Sequence, residues 1–210
     1  MDARPLAAAI LTGGRAARLG GVRKAQLRIG GRTIIERQLE TLSVVASPVY
    51  AVSSADGIGE GGLDLVRDRY PGSGALGGIY TAIATSPHHR VLVVGCDMPF
   101  LDARLIAYMN TLDADLIIPR GARGYEPLCA IYSRACAAPI RARIESGRLE
   151  ASMLPDGVRV VEVEEQALAA YDPHGLLFVN VNTPHDYERA NTLLERSNAS
   201  RDRIMDELGP

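Results

Sequence analysis

The residues best suited to chemistry lie early in the chain, in the run Leu11-Thr12-Gly13-Gly14-Arg15-Ala16-Ala17-Arg18-Leu19-Gly20-Gly21-Val22-Arg23-Lys24. Its last twelve residues hold four glycines and four arginine or lysine residues. Glycine lets backbone N–H groups come close to a ligand, and the basic side chains supply charge opposite to an anion. Placed after the apolar run Leu6 to Leu11, such a loop suits the phosphates of a nucleoside triphosphate. The plain alternative is a surface turn with incidental basic residues. Four of the 23 Lys/Arg fall between Arg15 and Lys24, while the formal net charge of the whole chain is −2. Basic charge is therefore local, which points to a small anion and gives no general pull toward nucleic acid or membranes.

A second candidate is Asp97, directly after the continuous apolar run Val91 to Val94 and Gly95-Cys96. A carboxylate there would hold Mg²⁺, which takes one or two carboxylates together with phosphate oxygens. Backbone N–H groups near Gly13 and Gly14, with Arg18 and Lys24, would bind the triphosphate. Attack of a nucleophile on the α-phosphorus needs in-line positioning and neutralisation of charge on the departing pyrophosphate. A metal and basic groups supply both without a covalent intermediate.

The elements that must position these groups are legible from periodicity. Leu6 to Leu11 and Arg90 to Gly95 read as buried strands, with shorter strands over Pro48 to Val52, Leu63 to Val66, Asp115 to Pro119 and Pro127 to Tyr132. Val158 to Val163 alternates as an edge or antiparallel strand does, and Leu176 to Val179 reads as a strand closed by Asn180-Val181-Asn182. Thr33 followed by Glu36 is a capping box opening a helix over 34–44. Further helices are expected over Ile79 to Thr85, after Asp102, over Ala137 to Ser146, and from Thr183-Pro184 onward. Strands alternating with helices define an α/β class: a three-layer, Rossmann-like fold with a mostly parallel central sheet. One domain is expected over residues 1–196, followed by a polar, frayed tail over 197–210. Ligands of such sheets bind beyond the carboxyl ends of the strands. The loop after Leu11, Asp68, Asp97 and Asn180/Asn182 all fall at such ends and are expected to converge on one cleft.

Other chemistries fit poorly. Gly72-Ser73-Gly74-Ala75-Leu76-Gly77 matches the G-x-G-x-x-G dinucleotide fingerprint, with Asp97 20 residues after Gly77. Yet Asp68 to Pro71 separate it from its strand, and a dehydrogenase leaves the first loop unexplained. Lys24 has neither a preceding Gly nor a following Ser/Thr, so there is no Walker A site. No G-x-S-x-G occurs, and His88, His89 and His174 sit in Pro-containing loops. Cys96, Cys129 and Cys136 show no metal-type spacing, and no apolar stretch approaches the roughly 20 residues that span a bilayer. A cytoplasmic location is the expectation.

The ordered motifs resemble the molybdenum cofactor guanylyltransferases of the nucleotidyltransferase superfamily. Leu11, Gly14, Arg18 and Lys24 match L-x-x-G-x-x-x-R-x-x-x-x-x-K, and Gly74-Ala75-Leu76-Gly77-Gly78-Ile79 matches a glycine-rich G-P-L-x-G-I. Cys96-Asp97-Met98-Pro99 matches C-D-x-P, and Asn180-Val181-Asn182-Thr183-Pro184 matches N-x-N-T-P. The resemblance implies transfer of GMP from Mg-GTP to Mo-molybdopterin with release of pyrophosphate. It also implies that Leu11, Thr12, Gly13, Gly14 and Lys24 bind GTP and that Arg18, Lys24 and Asp97 act in catalysis, Asp97 as the Mg²⁺ ligand. Ser53 and Asp68 would lie on the nucleoside side, and Asn180 and Asn182 would face the pterin or orient the metal end. Gly13-Gly14, where the similar cytidylyltransferases carry Ala-Gly, favours guanine, since a residue without Cβ leaves a purine more room. Molybdoenzymes or cofactor chaperones would be the protein partners.

Three positions depart from the family's pattern. Arg23 stands where Asp usually precedes the Lys, Ala75 replaces a Pro, and Gly124-Tyr125-Glu126-Pro127 replaces a His-Pro pair near the acceptor side. They bear on the acceptor more than on the nucleotide. The alternatives are a related nucleotidyltransferase using CTP or another acceptor, and a non-catalytic GTP-binding homologue.

Overall fold

The computed structural model describes residues 4–12, 18–19, 22–54 and 59–208; at residues 18, 19, 22, 60, 198 and 200–208 only the backbone is described. The elements in the first half are β1 (Leu6–Leu11), β2 (Arg18–Leu19), β3 (Val22–Arg23), β4 (Arg28–Ile29), β5 (Arg32–Thr33), α1 (Ile34–Leu42), β6 (Val49–Ser53), β7 (Leu65–Arg67) and α2 (Gly74–Thr85). The second half adds β8 (Arg90–Gly95), α3 (Ala103–Thr111), β9 (Leu116–Gly121), β10 (Gly124–Tyr125), β11 (Cys129–Ser133), α4 (Ala137–Glu145), β12 (Val160–Val163), α5 (Glu165–Leu168) and α6 (Pro184–Leu208).

The central sheet runs β7-β6-β1-β8-β11-β9, with β10 and β12 also paired to β9. Strands β7, β6, β1 and β8 are mutually parallel, and β12 is parallel to β9. Only β11 and the two-residue β10 run against their neighbours. The chain moves outward from β1 to β6 and β7, then returns through α2 to lay β8 on the other side of β1. The gap between the carboxyl ends of β1 and β8 is therefore the topological switch point, the usual ligand position in open α/β sheets.

Both faces of β1 are buried, which is why it is apolar throughout. Leu6, Ala8 and Ile10 pack with Ile35 and Leu42 of α1 and Leu105 and Met109 of α3. Ala7, Ala9 and Leu11 pack instead with Ile79 and Ile83 of α2 and Ile140 and Ile144 of α4. A third cluster of Ile29, Ile34, Val179, Val181 and Ala190 seats α6 and the segment before it on the start of α1. This is the expected three-layer α/β architecture.

Three local expectations are corrected. Helix α2 begins at Gly74, not Ile79, because its glycines permit close packing. A Cβ on Gly77 would lie 2.6 Å from the Tyr70 carbonyl oxygen, and one on Gly78 2.9 Å from Leu11. Strand β9 continues through Gly121 and folds back as β10. Strand β12 pairs with β9 alone among the described strands, in parallel, and so takes the edge position that its alternation allowed. Leu176 to Val179 is a turn and not a strand: the Asp172 carboxylate accepts from Leu176 N (2.6 Å) and Leu177 N (3.0 Å), and Val179 N donates to Leu176 O (3.0 Å). These bonds satisfy backbone groups that a sheet would otherwise have to pair. Finally, α6 continues unbroken to Leu208, so the polar tail is helical rather than frayed, and residue 197 lies inside that helix.

The caps follow the sequence closely. Thr33 Oγ1 accepts from Glu36 N at 3.2 Å and the Glu36 carboxylate accepts from Thr33 N at 2.7 Å, which fixes the entry of α1. Replacing Thr33 by Ala removes one half of this box and is expected to cost about 1 kcal/mol. In a thermal melt that is a drop of roughly 2–4 °C for a chain of this size. An unchanged midpoint would contradict the cap's contribution.

Candidate functional site

The site is built on the turn that follows β8. Cys96 N donates to Leu11 O at 3.2 Å, tying the ends of β8 and β1 together. Met98 N then closes the turn onto Gly95 O at 3.3 Å. A Cβ on Gly95 would stand 2.7 Å from Asp97 Oδ1, so a glycine there lets the carboxylate fold back over the strand end. The turn is clamped from α1: Gln38, fully buried, donates from Nε2 to Gly95 O (2.7 Å) and to Met98 O (3.0 Å). Sequence reading placed Gln38 on the helix without a function. The available signal was a glutamine at a core-facing position beside Ile34, Ile35 and Leu42.

Lys24 reaches the same point from the other side. It opens a single 3-10 turn, Lys24–Gln26, closed by Leu27 N donating to Lys24 O at 3.0 Å. Its side chain is 3% exposed; Nζ donates to Asn182 Oδ1 at 2.5 Å and lies 4.0 Å from Asp97 Oδ2. Asn182 also hydrogen-bonds the Asp97 carboxylate through its side chain. The neighbouring Val181 N donates to Asp97 O at 2.9 Å, and Asp186 holds Asn182 N (3.0 Å) and Thr183 N (2.9 Å) at the head of α6. Lys24, Asp97 and Asn182 thus come together from three distant parts of the chain.

Burial pushes the Asp97 carboxyl above its ordinary pKa, against the opposing pull of Lys24, its own backbone N–H and Asn182. A carboxyl raised on folding stabilises the fold in its protonated form; that stability is complete below the ordinary carboxylate range and lost as pH rises through the raised value. At neutral pH the ionised Asp97 is therefore a net cost to the ligand-free protein. A cation at its remaining exposed face would relieve that cost.

The other expected residues divide into four groups. Leu11, Thr12 and Ser53 lie at neighbouring strand ends: Thr12 N donates to Val52 O (2.9 Å), and the buried Ser53 accepts from Asp68 N through its carbonyl (2.7 Å). Asp68 stands apart from Asp97 by three strand spacings, about 14 Å. Its Oδ1 accepts from Tyr70 N (3.0 Å) and Thr81 Oγ1 (2.9 Å), so it locks the turn onto α2. Asn180 is half-buried beside Val181, with Oδ1 buried and without a hydrogen-bond partner among the described residues. Gly13 and Gly14 lie outside the described residues; of Arg18 only the backbone is described, paired with the exposed Arg23 across β2 and β3.

Among the described residues no group of three or more His, Cys, Asp or Glu could cage a metal ion. A single shielded carboxylate suits Mg²⁺ nonetheless, since that ion usually completes its shell with water and substrate phosphates. Asp97 fits on this count: its carboxylate is largely shielded from water, and burial is what raises its pKa.

A mostly parallel sheet whose switch point joins a buried lysine to a shielded carboxylate belongs to the α/β nucleotidyltransferase class. The chain is a member of the MobA-like NTP transferase domain family, whose model matches residues 8–160. It is 31% identical over 91% of its length to a molybdenum cofactor guanylyltransferase of Desulfosudis oleivorans, covering 96% of that protein. A probable molybdenum cofactor guanylyltransferase of Pelotomaculum thermopropionicum is 34% identical, with 91% of this chain and 95% of that protein covered. The same fold occurs in molybdopterin-guanine dinucleotide biosynthesis protein A of Archaeoglobus fulgidus, at a TM-score of 0.74 and 24% identity over 90% of this chain and 98% of that one. It also occurs in 2-C-methyl-D-erythritol 4-phosphate cytidylyltransferase of Thermus thermophilus, at a TM-score of 0.60 and 16% identity over 89% and 98%. No helix among the described residues is long and apolar enough to cross a membrane.

Two outcomes follow from this geometry. Gln38→Leu removes both bonds to the Asp97 turn; a misplacement near 1 Å lowers turnover by about 100-fold, while the nucleotide-induced thermal shift stays close to wild type. Full turnover in that variant would remove Gln38 from the positioning scheme. Asp97→Asn leaves the buried Lys24 ammonium without its opposite charge, and the ligand-free variant is expected to melt lower at neutral pH, by roughly 2–4 °C per kcal/mol lost, while turnover is lost. An unchanged or higher melting temperature would contradict the pairing of Asp97 with Lys24.

Proposed function

We propose that the chain transfers GMP from GTP to the terminal phosphate of Mo-molybdopterin. The carrying observation is the joining of Lys24, Asn182 and Asp97 at the switch point, in a chain whose 31–34% identical relatives bear the guanylyltransferase name. An oxygen of the acceptor phosphate attacks the α-phosphorus of GTP. The bond to the β-phosphate oxygen breaks, and pyrophosphate departs with the electron pair. Lys24, buried and held by Asn182, presents a fixed ammonium to the phosphates, where preorganised charge is worth more than in water. Asn182 sets the spacing between that ammonium and the Asp97 carboxylate. Asp97 would hold Mg²⁺, which supplies neutralisation of the charge developing on the phosphates.

The nucleoside would extend from Leu11 and Thr12 toward Ser53 at the end of β6. There Asp68 shapes the floor through Thr81 rather than offering a free carboxylate. Gly13 and Gly14 would supply the backbone donors and the room for guanine. Arg18 would add charge to the phosphate side.

Pyrophosphate release in the presence of Mo-molybdopterin tests this directly. Mg-GTP is expected to support release and Mg-CTP to fail, with Asp97→Ala reducing the rate by at least about 100-fold, the scale of losing one preorganised electrostatic group. A preference for CTP would overturn the base assignment, and undiminished release by Asp97→Ala would overturn the role of the carboxylate.

A further inference from the structure

The two backbones that carry Lys24 and Asn182 meet again a few residues further on, away from the site. Shortly after Lys24 the chain forms the β4–β5 hairpin, and shortly after Asn182 helix α6 presents Tyr187 to it. Tyr187 Oη donates to Arg28 O at 2.9 Å, and one turn on, Asn191 Oδ1 accepts from Gly30 N at 3.1 Å. Asn191 Nδ2 donates to Tyr187 O at 3.0 Å, which fixes the orientation of the amide. Gly30 stands at φ +56°, and a Cβ there would collide with Leu194. Helix α6 therefore lies closer to the hairpin than a side chain at position 30 would allow. Beneath these contacts Ile29 and Ile34 pack with Tyr187, Ala190 and Leu194.

Both legs between this joint and the site are stiff. On one, Leu27 N donates to Lys24 O (3.0 Å) and Ile34 N to Leu27 O (2.9 Å), so the 3-10 turn runs without slack into the hairpin. On the other, Thr183 and Asp186 cap the head of α6 directly after Asn182. Stiffness matters because Asn182 is an exposed residue, so packing around its side chain does not hold it. Lys24 has a flexible four-carbon stem and follows the position its acceptor takes.

We propose that Tyr187 and Asn191 are positioning residues for guanylyl transfer. By lashing α6 to the β4–β5 hairpin they set the distance from Asn182 to the Lys24 backbone, and so the place of the ammonium. Neither reaches the reacting groups. Their bonds to the hairpin lie at the surface, where a hydrogen bond adds only about 1 kcal/mol to stability; what they fix is direction. The inference rests on the role proposed above for Lys24.

Lys24 is the only lysine of the chain, so amine acetylation read by peptide mass spectrometry separates it cleanly from the terminal amine. The full-length, ligand-free protein is treated with N-acetoxysuccinimide. Tyr187→Phe keeps the ring in its apolar seat, and Asn191→Ala keeps a good helix former. Each is expected to acetylate at Lys24 about fivefold faster than wild type, the worth of one hydrogen bond in the opening that exposes it. Ile140→Val, a core change in α4 that costs about 0.5–1.5 kcal/mol, controls for lost stability and should acetylate like wild type. In guanylyl transfer kcat should fall about tenfold in both variants, part of the 100-fold that a 1 Å misplacement costs, with KM for GTP unchanged. In the Asn182→Ala background Tyr187→Phe should lower kcat no further. Acetylation in both variants no faster than in Ile140→Val overturns the joint. A kcat loss from Tyr187→Phe that is undiminished in the Asn182→Ala background overturns it equally. Guanylyl transfer that neither variant slows removes the positioning role alone. Faster acetylation in the variants, with no guanylyl transfer by wild type, removes the proposed function and leaves the joint.

Discussion

A lysine ammonium that is almost wholly removed from water is the constraint on which the rest of this structure depends. Among the described residues Lys24 has one acceptor at hydrogen-bond distance, Asn182, and one opposite charge, Asp97, at 4.0 Å. Removing such a charge from water costs several kcal/mol unless partners are held in place. Those partners come from the end of β8 and from the segment leading into α6, so neither can shift without stranding the ammonium. The Gln38 clamp, the glycine at position 95 and the Asp186 cap all hold the partners to their positions. The arrangement does not favour the fold on its own account, because burial raises the Asp97 carboxyl even with Lys24 beside it. Its stability is supplied from elsewhere, by the core.

That core explains the placement. The three alanines at the centre of β1 leave room for helices on both faces, and the glycines of α2 let that helix close onto Leu11. With β8 laid against β1 in register, Leu11 opposite Gly95, Thr12 and the Asp97 turn emerge side by side. The topology thus brings the carboxyl ends of these two strands to one crevice before any side chain is specified. The antiparallel β11 and the hairpin beyond it then form a second wall, and a recess lined by Glu126 and Asn180 opens between that wall and α6.

Much of this was legible in the residues themselves. The buried strands, the Thr33 and Asp102 caps and the parallel sheet follow from periodicity and local capping, which act over a few residues. Lys24, Asp97 and Asn182 lie far apart in the chain and come together in the fold. What escaped depends on contacts between distant segments. An apolar run such as Leu176 to Val179 reads as a strand, but Asp172 satisfies its N–H groups and leaves it as a turn. Asn180 and Asn182 therefore reach the site through the bond from Val181 N to Asp97 O and not from a strand end. Asp68 does end a strand, yet its carboxylate is drawn onto Thr81, a partner 13 residues away that no local pattern reveals. Gln38 has the converse history: its spacing marks it as a core position, and only the fold shows which carbonyl groups that position faces.

The central claim is that Lys24 and Asn182 act as one device, the amide holding the ammonium at its working distance from Asp97. A double-mutant cycle on guanylyl transfer measures this directly, using Lys24→Met, Asn182→Ala and the pair, each checked for folding by its melting curve. Groups that act as a unit are strongly non-additive. The double variant is therefore expected to be about as slow as the slower single variant. Additive losses, with the double variant slower by the product of the two single effects, would show that the two residues work independently and would contradict the account.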